Sequence, residues 1–174
     1  MTERKSSNEQ TGKAAESRVE LLTTMEESRA AIDRLIGGAQ RSLQIFERDL
    51  SDPGYRNPQR IELIEQFLRR RQGNRVSLVL HETGDLDRDA ARLMSMYRRY
   101  TDTVEIHQTL DTAKVAADCL VLVDEASYWH RLHHDLSRAV VGYNDGTGAR
   151  PLQQRFAEIW EASEPAAPAT TLGL

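Results

Sequence analysis

A single cysteine, a 6% share of aromatic residues and no dominant charge sign leave this 174-residue chain without the marks of several specialised classes. One cysteine cannot close an internal disulfide, which excludes a small disulfide-stapled scaffold. No apolar run approaches the roughly 20 residues that a membrane-spanning helix needs. The opening segment MTERKSSNEQTGKAAES has no apolar core, so it does not read as a secretory signal. Together with the lone thiol, this sets a reducing cytoplasm as the expected location. Basic and acidic residues number 23 and 27, giving a net charge of −4, which argues against a basic coat for nucleic acid. No internal repeat is present. What remains is 39% apolar and 29% charged residues in a length that suits one globular domain.

Along the chain, the apolar period alternates between helix and strand. Residues 1–17 are polar and read as a disordered tail, residues 18–162 as one α/β domain, and residues 163–174 as a Pro/Ala-rich tail that cannot sustain a helix. The closing Leu172-Gly173-Leu174 is apolar enough to dock back on the domain. Val19–Leu22 suggests a short opening strand. Thr24 with Glu27 spells a capping box, after which Met25, Ser28, Ile32, Leu35, Ile36 and Ala39 share a helical face. Leu43 and Ile45 alternate with Gln44 as in a strand. Ser51-Asp52-Pro53-Gly54 is a turn by composition, and Asn57-Pro58 opens a helix that Gly73 ends. Val76, Leu78 and Leu80 form the next strand, with Val79 apolar on its other side. Asp85 begins a helix facing inward through Leu86, Ala90, Leu93, Met94 and Tyr97, and Val104 with Ile106 marks another strand. Asn144-Asp145-Gly146 signals a turn. Pro151 then opens a last helix with Leu152, Phe156, Ile159 and Trp160 on one face. The expected fold class is α/β, a mixed sheet with helices packed on it, in which ligands bind beyond the carboxyl ends of strands.

The segment VAADCLVLVDEASYWHR, Val115–Arg131, carries the most information. Leu120–Val123 is a continuous apolar run, as in a strand buried on both faces. Asp124-Glu125 then turns the chain into the aromatic strand Ser127-Tyr128-Trp129.

With the flanking segments AIDRLIGGAQRSLQIF, IELIEQFLRRRQGNRVSLVL, LMSMYRRYTDTVEIH and LQQRFAEIW, this order resembles one half of a phospholipase D-like domain across about residues 19–162. In that superfamily the strand–turn–strand bears a His-x-Lys-x4-Asp motif. One histidine attacks phosphorus, a second protonates the leaving group, and lysines hold the phosphate oxygens. With Asp124 in the Asp position, Ala117 stands at the His and Cys119 at the Lys. The resemblance thus implies the frame of the active site with its chemistry missing. Sliding the frame onto Lys114 puts Thr112 at the His and Cys119 at the Asp, which is worse. IFERDL, CLVLVD and RFAEIWEASEP are similar to an uncharacterised bacterial group of such domains. The resemblance implies a binding or accessory module, non-catalytic, for a phosphate-bearing ligand or a protein partner. An acetyltransferase, which accompanies some of that group, and a second copy in a homodimer are the candidate partners. The alternative is a phosphodiesterase or nuclease with relocated catalytic groups.

Charged residues just past the strands make the best candidate ligand cleft: Arg48, Asp49, His81, Glu82, Asp124 and Arg131. A structural ion-pair network is the competing reading. His130, His133, His134 and Asp135 suit zinc or iron by residue type. On a strand, however, only His130 and His134 would share a face, so a polar loop is preferred, and neither metal nor cofactor is expected. Cys119, inside an apolar strand, reads as a small hydrophobe. Arg69, Arg70, Arg71, Arg75, Arg98 and Arg99 form the densest basic cluster and read as solvated helix ends, leaving nucleic acid an unlikely partner.

Overall fold

The computed structural model describes residues 16–166 except 52 and 85. The expectations for the N-terminal tail to residue 15, for the helix start at Asp85 and for docking of Leu172–Leu174 lie outside the described residues. Eight strands form one mixed sheet: β1 (Arg18–Leu22), β2 (Ser42–Glu47), β3 (Arg75–Leu80), β4 (Val104–Thr109), β5 (Cys119–Val123), β6 (Ser127–Arg131), β7 (Ala139–Tyr143) and β8 (Ser163–Pro165). Their spatial order is β1-β7-β6-β5-β2-β3-β4-β8. Only β2, β3 and β4 run parallel, and every other neighbouring pair is antiparallel. The α/β mixed sheet expected from the apolar periods is present.

Side-chain alternation divides the core into two layers. Leu43 and Ile45, Val76, Leu78 and Leu80, and Cys119, Val121 and Val123 point to one face. There they meet α1 (Met25–Gly38), α3 (Pro58–Arg70) and α5 (Ala91–Arg99) through Ile32, Leu35, Ile36, Ile64, Phe67 and Met94. Phe46, Val79, Leu120 and Leu122 point to the opposite face, which α6 (Gly146–Glu161) covers with Ala149, Phe156 and Ile159. Leu120–Val123 is therefore buried on both faces, as its unbroken apolar run predicts.

The helix ends follow their capping chemistry. Thr24 Oγ1 accepts from the Glu27 N–H at 3.1 Å while Glu27 Oε2 accepts from the Thr24 N–H at 3.0 Å, so the capping box forms as read. Asn57 Oδ1 accepts from the Gln59 N–H at 3.0 Å ahead of Pro58. The basic cluster largely serves these helices. Arg70 donates to the carbonyls of Gly37 and Ala39 at 3.0 and 3.1 Å at the end of α1, and Arg69 and Arg99 both bind Glu65.

Four expectations need correction. The last helix begins at Gly146, five residues before Pro151, because Asp145 caps it by accepting the Gly148 N–H at 3.0 Å. Gly146, Thr147 and Gly148 are weak helix formers that hide this turn from a propensity reading. The region 86–99 is two pieces, α4 (Leu86–Asp89) and α5, divided at Ala90, whose backbone is non-helical. The turn at Ser51–Gly54 gives way to a one-turn helix, α2 (Pro53–Arg56). Ser163–Pro165, grouped by composition with the C-terminal tail, forms β8 against β4.

Candidate functional site

The carboxyl ends of the parallel strands β2 and β3 release Glu47, Arg48 and Asp49, and His81 and Glu82. Because β5 is antiparallel to β2, with Phe46 opposite Leu120, the start of β5 comes to the same end of the sheet. Arg131 lies directly opposite Cys119 in the next strand pair, so it arrives there too. Two adjoining cavities open here. One, of about 320 Å³, is lined by Arg29, Glu47, Arg48, Asp49, Ser51, Arg131, His134 and Asp135. The other, of about 260 Å³, is lined by Arg48, His81, Glu82, Lys114, Ala116, Ala117 and His134. Arg48 and His134 are common to both, which makes them one cleft across the sheet's end.

Five of the six candidate cleft residues, Arg48, Asp49, His81, Glu82 and Arg131, are therefore brought together. Asp124 is not. It follows the far end of β5, beside the start of β2, where its carboxylate accepts the backbone N–H groups of Gln40, Arg41 and Ser42 at 2.6, 2.7 and 2.9 Å. Asp124 itself has φ 52°, in the left-handed region that Asp tolerates better than most residues. It is a clamp joining the β5–β6 turn to the α1–β2 connection, at the opposite end of the sheet from the cleft.

Within the cleft, Arg131 is buried and its guanidinium spans several groups. It reaches Glu47 Oε2 at 3.5 Å and Cys119 Sγ at 3.4 Å, and lies 5.4 Å from the Trp129 ring centroid. Tyr55 donates to Glu47 Oε1 at 3.4 Å, which further ties down that buried carboxylate. Burial pushes the Cys119 thiol well above its ordinary range, and Glu47 adds to this while Arg131 opposes it. The thiol is therefore protonated and inert, in keeping with its reading as a small hydrophobe.

His81 is buried with both ring nitrogens engaged, Nε2 with the Ala116 carbonyl at 2.6 Å and Nδ1 with Thr109 Oγ1 at 2.8 Å. A carbonyl only accepts, so Nε2 carries the proton and Nδ1 of the neutral ring accepts from the threonine. Neither nitrogen is left to attack a substrate. Arg48 is half exposed and meets Glu82 at 3.6 Å. Burial raises the Asp49 pKa, but hydrogen bonds from Ser51 and the charges of Arg48 and Arg56 outweigh it and hold the carboxyl below its ordinary value.

Residues beyond the candidates complete this end of the molecule. Arg29 reaches the cleft from α1, one turn beyond the Thr24 cap, and nothing in its amphipathic pattern sets it apart from other surface arginines. His134 and Asp135 lie in the turn after β6, where the strand ends at Arg131 instead of running on. These residues thus lie in a polar turn, the reading preferred from the sequence, and the strand that would have put His130 and His134 on one face does not extend that far. His130 stays on β6 and meets Asp118 at 3.7 Å, while His133, His134 and Asp135 bring ligand-type atoms within 4.8 Å of one another. Asp118 also binds Arg155 of α6 at 3.0 Å. Burial pulls its pKa up, yet the hydrogen bonds of His130 and Arg155 win and hold the carboxyl far below the usual carboxylate range. This pair ties α6 to the sheet.

No helix among the described residues is long and apolar enough to cross a membrane. Comparison with solved structures finds phospholipase D family folds. Nuc from Salmonella typhimurium, a phospholipase D family member, superposes with a TM-score of 0.62 at 16% identity, covering 88% of this chain and 100% of its own. NucT from Helicobacter pylori gives 0.62 at 12% identity, over 87% and 100%. TrmBL2, an archaeal chromatin protein with a novel mode of DNA binding, gives 0.62 at 16% identity, over 86% of this chain and 54% of its own. The chain thus spans about half of that protein, and these low identities establish the fold alone. No curated protein matches. A family model described as a domain of unknown function, DUF7931, matches residues 24–172. The chain belongs to the DUF7931 family, and it has the phospholipase D-like fold.

Proposed function

We propose that this chain is a non-catalytic phospholipase D-like domain that binds a phosphate-bearing ligand in the cleft at the carboxyl ends of β2 and β3. The observation that carries the reading is the lining of that cleft. Ala117, at the position the resemblance assigns to the nucleophilic histidine, forms part of the wall. Cys119, at the lysine position, is buried and protonated. His81, which lines the same cavity, has both nitrogens engaged. An alanine wall offers space without a nucleophile, and His81 props the loop that carries it.

Arg48 is the binding residue in this account. Its ion pair with Glu82 is long, and the two side chains are 47% and 63% exposed. Such pairs contribute about 0–1 kcal/mol, so a phosphate that accepts two parallel guanidinium hydrogen bonds can displace the carboxylate. Arg131, by contrast, is committed to Glu47 and sets the shape and field of the cleft floor.

A thermal-shift series with inorganic phosphate, a nucleoside monophosphate and a short single-stranded DNA tests the proposal, with an aryl phosphodiester included to detect turnover. The expected result is stabilisation by at least one phosphate compound, its loss in Arg48→Ala, and no turnover. Aryl phosphate release abolished by His81→Ala or His130→Ala would replace this reading with a phosphodiesterase whose catalytic groups have moved. Silence across the series would favour a protein partner.

A further inference from the structure

The turn after β6 has a feature that phosphate binding does not use. His134 is held there by Ala117, whose carbonyl accepts the His134 backbone N–H at 2.8 Å and lies 3.2 Å from its Nδ1. Since a carbonyl only accepts, Nδ1 carries the proton and Nε2 of the neutral ring carries a lone pair. That Nε2 lies 3.5 Å from Asp135 Oδ1. On the other side, the Asp135 backbone N–H donates to His133 Nδ1 at 3.2 Å, so this nitrogen also carries a lone pair in the neutral ring. It lies 3.7 Å from Asp135 Oδ2. Two imidazole nitrogens and a carboxylate thus converge, and the Asp135 N–H on His133 Nδ1 would give way for that nitrogen to hold an ion. The lone pair of His134 Nε2 faces the carboxylate, an arrangement that favours a cation between them.

We propose that His133, His134 and Asp135 form a binding site for one divalent first-row transition ion of the zinc type. Two nitrogens and a carboxylate oxygen are the donor set such ions take. With metal–ligand distances of about 2.0–2.2 Å, ligands in tetrahedral positions stand about 3.4 Å apart. Each nitrogen lies near that spacing from a different oxygen of the carboxylate, 3.5 Å to Oδ1 and 3.7 Å to Oδ2, and the three ligand atoms lie within 4.8 Å of one another. The Ala117 carbonyl supplies the outer hydrogen bond that fixes the tautomer and ring orientation of a metal-bound histidine. The two rings are stacked, with centroids 4.5 Å apart.

Charge does not oppose this. The arginines of the adjoining cavity, Arg29, Arg48 and Arg131, share it with an equal number of carboxylates, Glu47, Asp49 and Asp135. Three protein ligands leave at least one coordination position open. His134 and Asp135 also line the cleft, so the ion would add positive charge at its rim. The metal site nevertheless stands on the turn's own geometry and does not depend on what the cleft binds.

The test is titration of the full chain, carrying no added polyhistidine, with zinc chloride by calorimetry and with cobalt(II) by visible absorption. One ion per chain is expected, with a cobalt ligand-field band. His133→Ala and Asp135→Ala should each weaken binding at least as much as loss of an outer-shell partner does, on the order of 10- to 100-fold. These two side chains are 44% and 70% exposed, so their truncation leaves the fold intact, which a melt without metal checks. His130→Ala, which removes an imidazole committed to Asp118, should bind as the parent does. Absence of stoichiometric binding, or binding indifferent to His133→Ala and Asp135→Ala, would overturn the site.

Discussion

The two ends of β5 carry two kinds of charged residue, and the contrast explains how this molecule divides its work. At the far end, Asp124 accepts three backbone N–H groups and nothing else is asked of it. At the near end, Ala117 and Arg131 line a cleft where a side chain with spare hydrogen-bonding capacity, Arg48, meets solvent. The first end closes backbone groups that would otherwise lack partners. The second leaves a cavity with a charged lining. A carboxylate at the start of a turn and an arginine past a strand look alike in sequence, yet one is spent on the fold and the other is available to a ligand.

The comparison can be broken first at the cleft floor. Arg131→Ala removes a guanidinium partner from the buried Glu47, and loss of one partner of a buried pair costs about 3–5 kcal/mol. A denaturant midpoint measured for this variant should show that loss. An unchanged midpoint would mean the pair contributes nothing to the floor. Next comes Asp124→Ala, which deprives three backbone donors of their charged acceptor. Hydrogen bonds to charged groups are worth about 1.5–3 kcal/mol each. Because water can reach this half-buried turn, a total of about 3 kcal/mol is expected by the same measurement.

A smaller effect sharpens the account of α6. The Asp118 pKa is depressed in the folded state, so its contribution to stability is fully present above the unfolded carboxyl value of about 4. It is lost as the pH falls through the folded value. Asp118→Asn should therefore flatten the acid limb of the stability profile while lowering the plateau at neutral pH. A variant whose acid limb matches that of the parent would show that Arg155 and His130 do not hold the carboxylate as described.

Much of this arrangement was legible in the residues. Apolar alternation placed β2 and β3, and the residues just beyond them, Arg48, Asp49, His81 and Glu82, fell into one cleft because parallel strands end on the same side. Asp124 misled for the complementary reason. Its strand is antiparallel to β2, and nothing in the run CLVLV states its direction, so the residue past its carboxyl end arrived at the opposite edge. The convergence of His133, His134 and Asp135 was missed because a strand period carried past Arg131 would put adjacent histidines on opposite faces. The strand stops there, Leu132 turns out to solvent, and adjacent residues that alternate on a strand become stacked neighbours in a turn. Arg29 and Asp118 had no local signal at all, since each acquires its role only from an element distant in sequence.

The most direct test of the division between the two ends is a calorimetric titration with inorganic phosphate on matched samples of Arg48→Ala and Asp124→Ala. Both variants are compared with the parent at a temperature where all three are folded. The account predicts that Arg48→Ala loses the binding heat while Asp124→Ala, though less stable, binds as the parent does. Binding that survives in Arg48→Ala and fails in Asp124→Ala would contradict it.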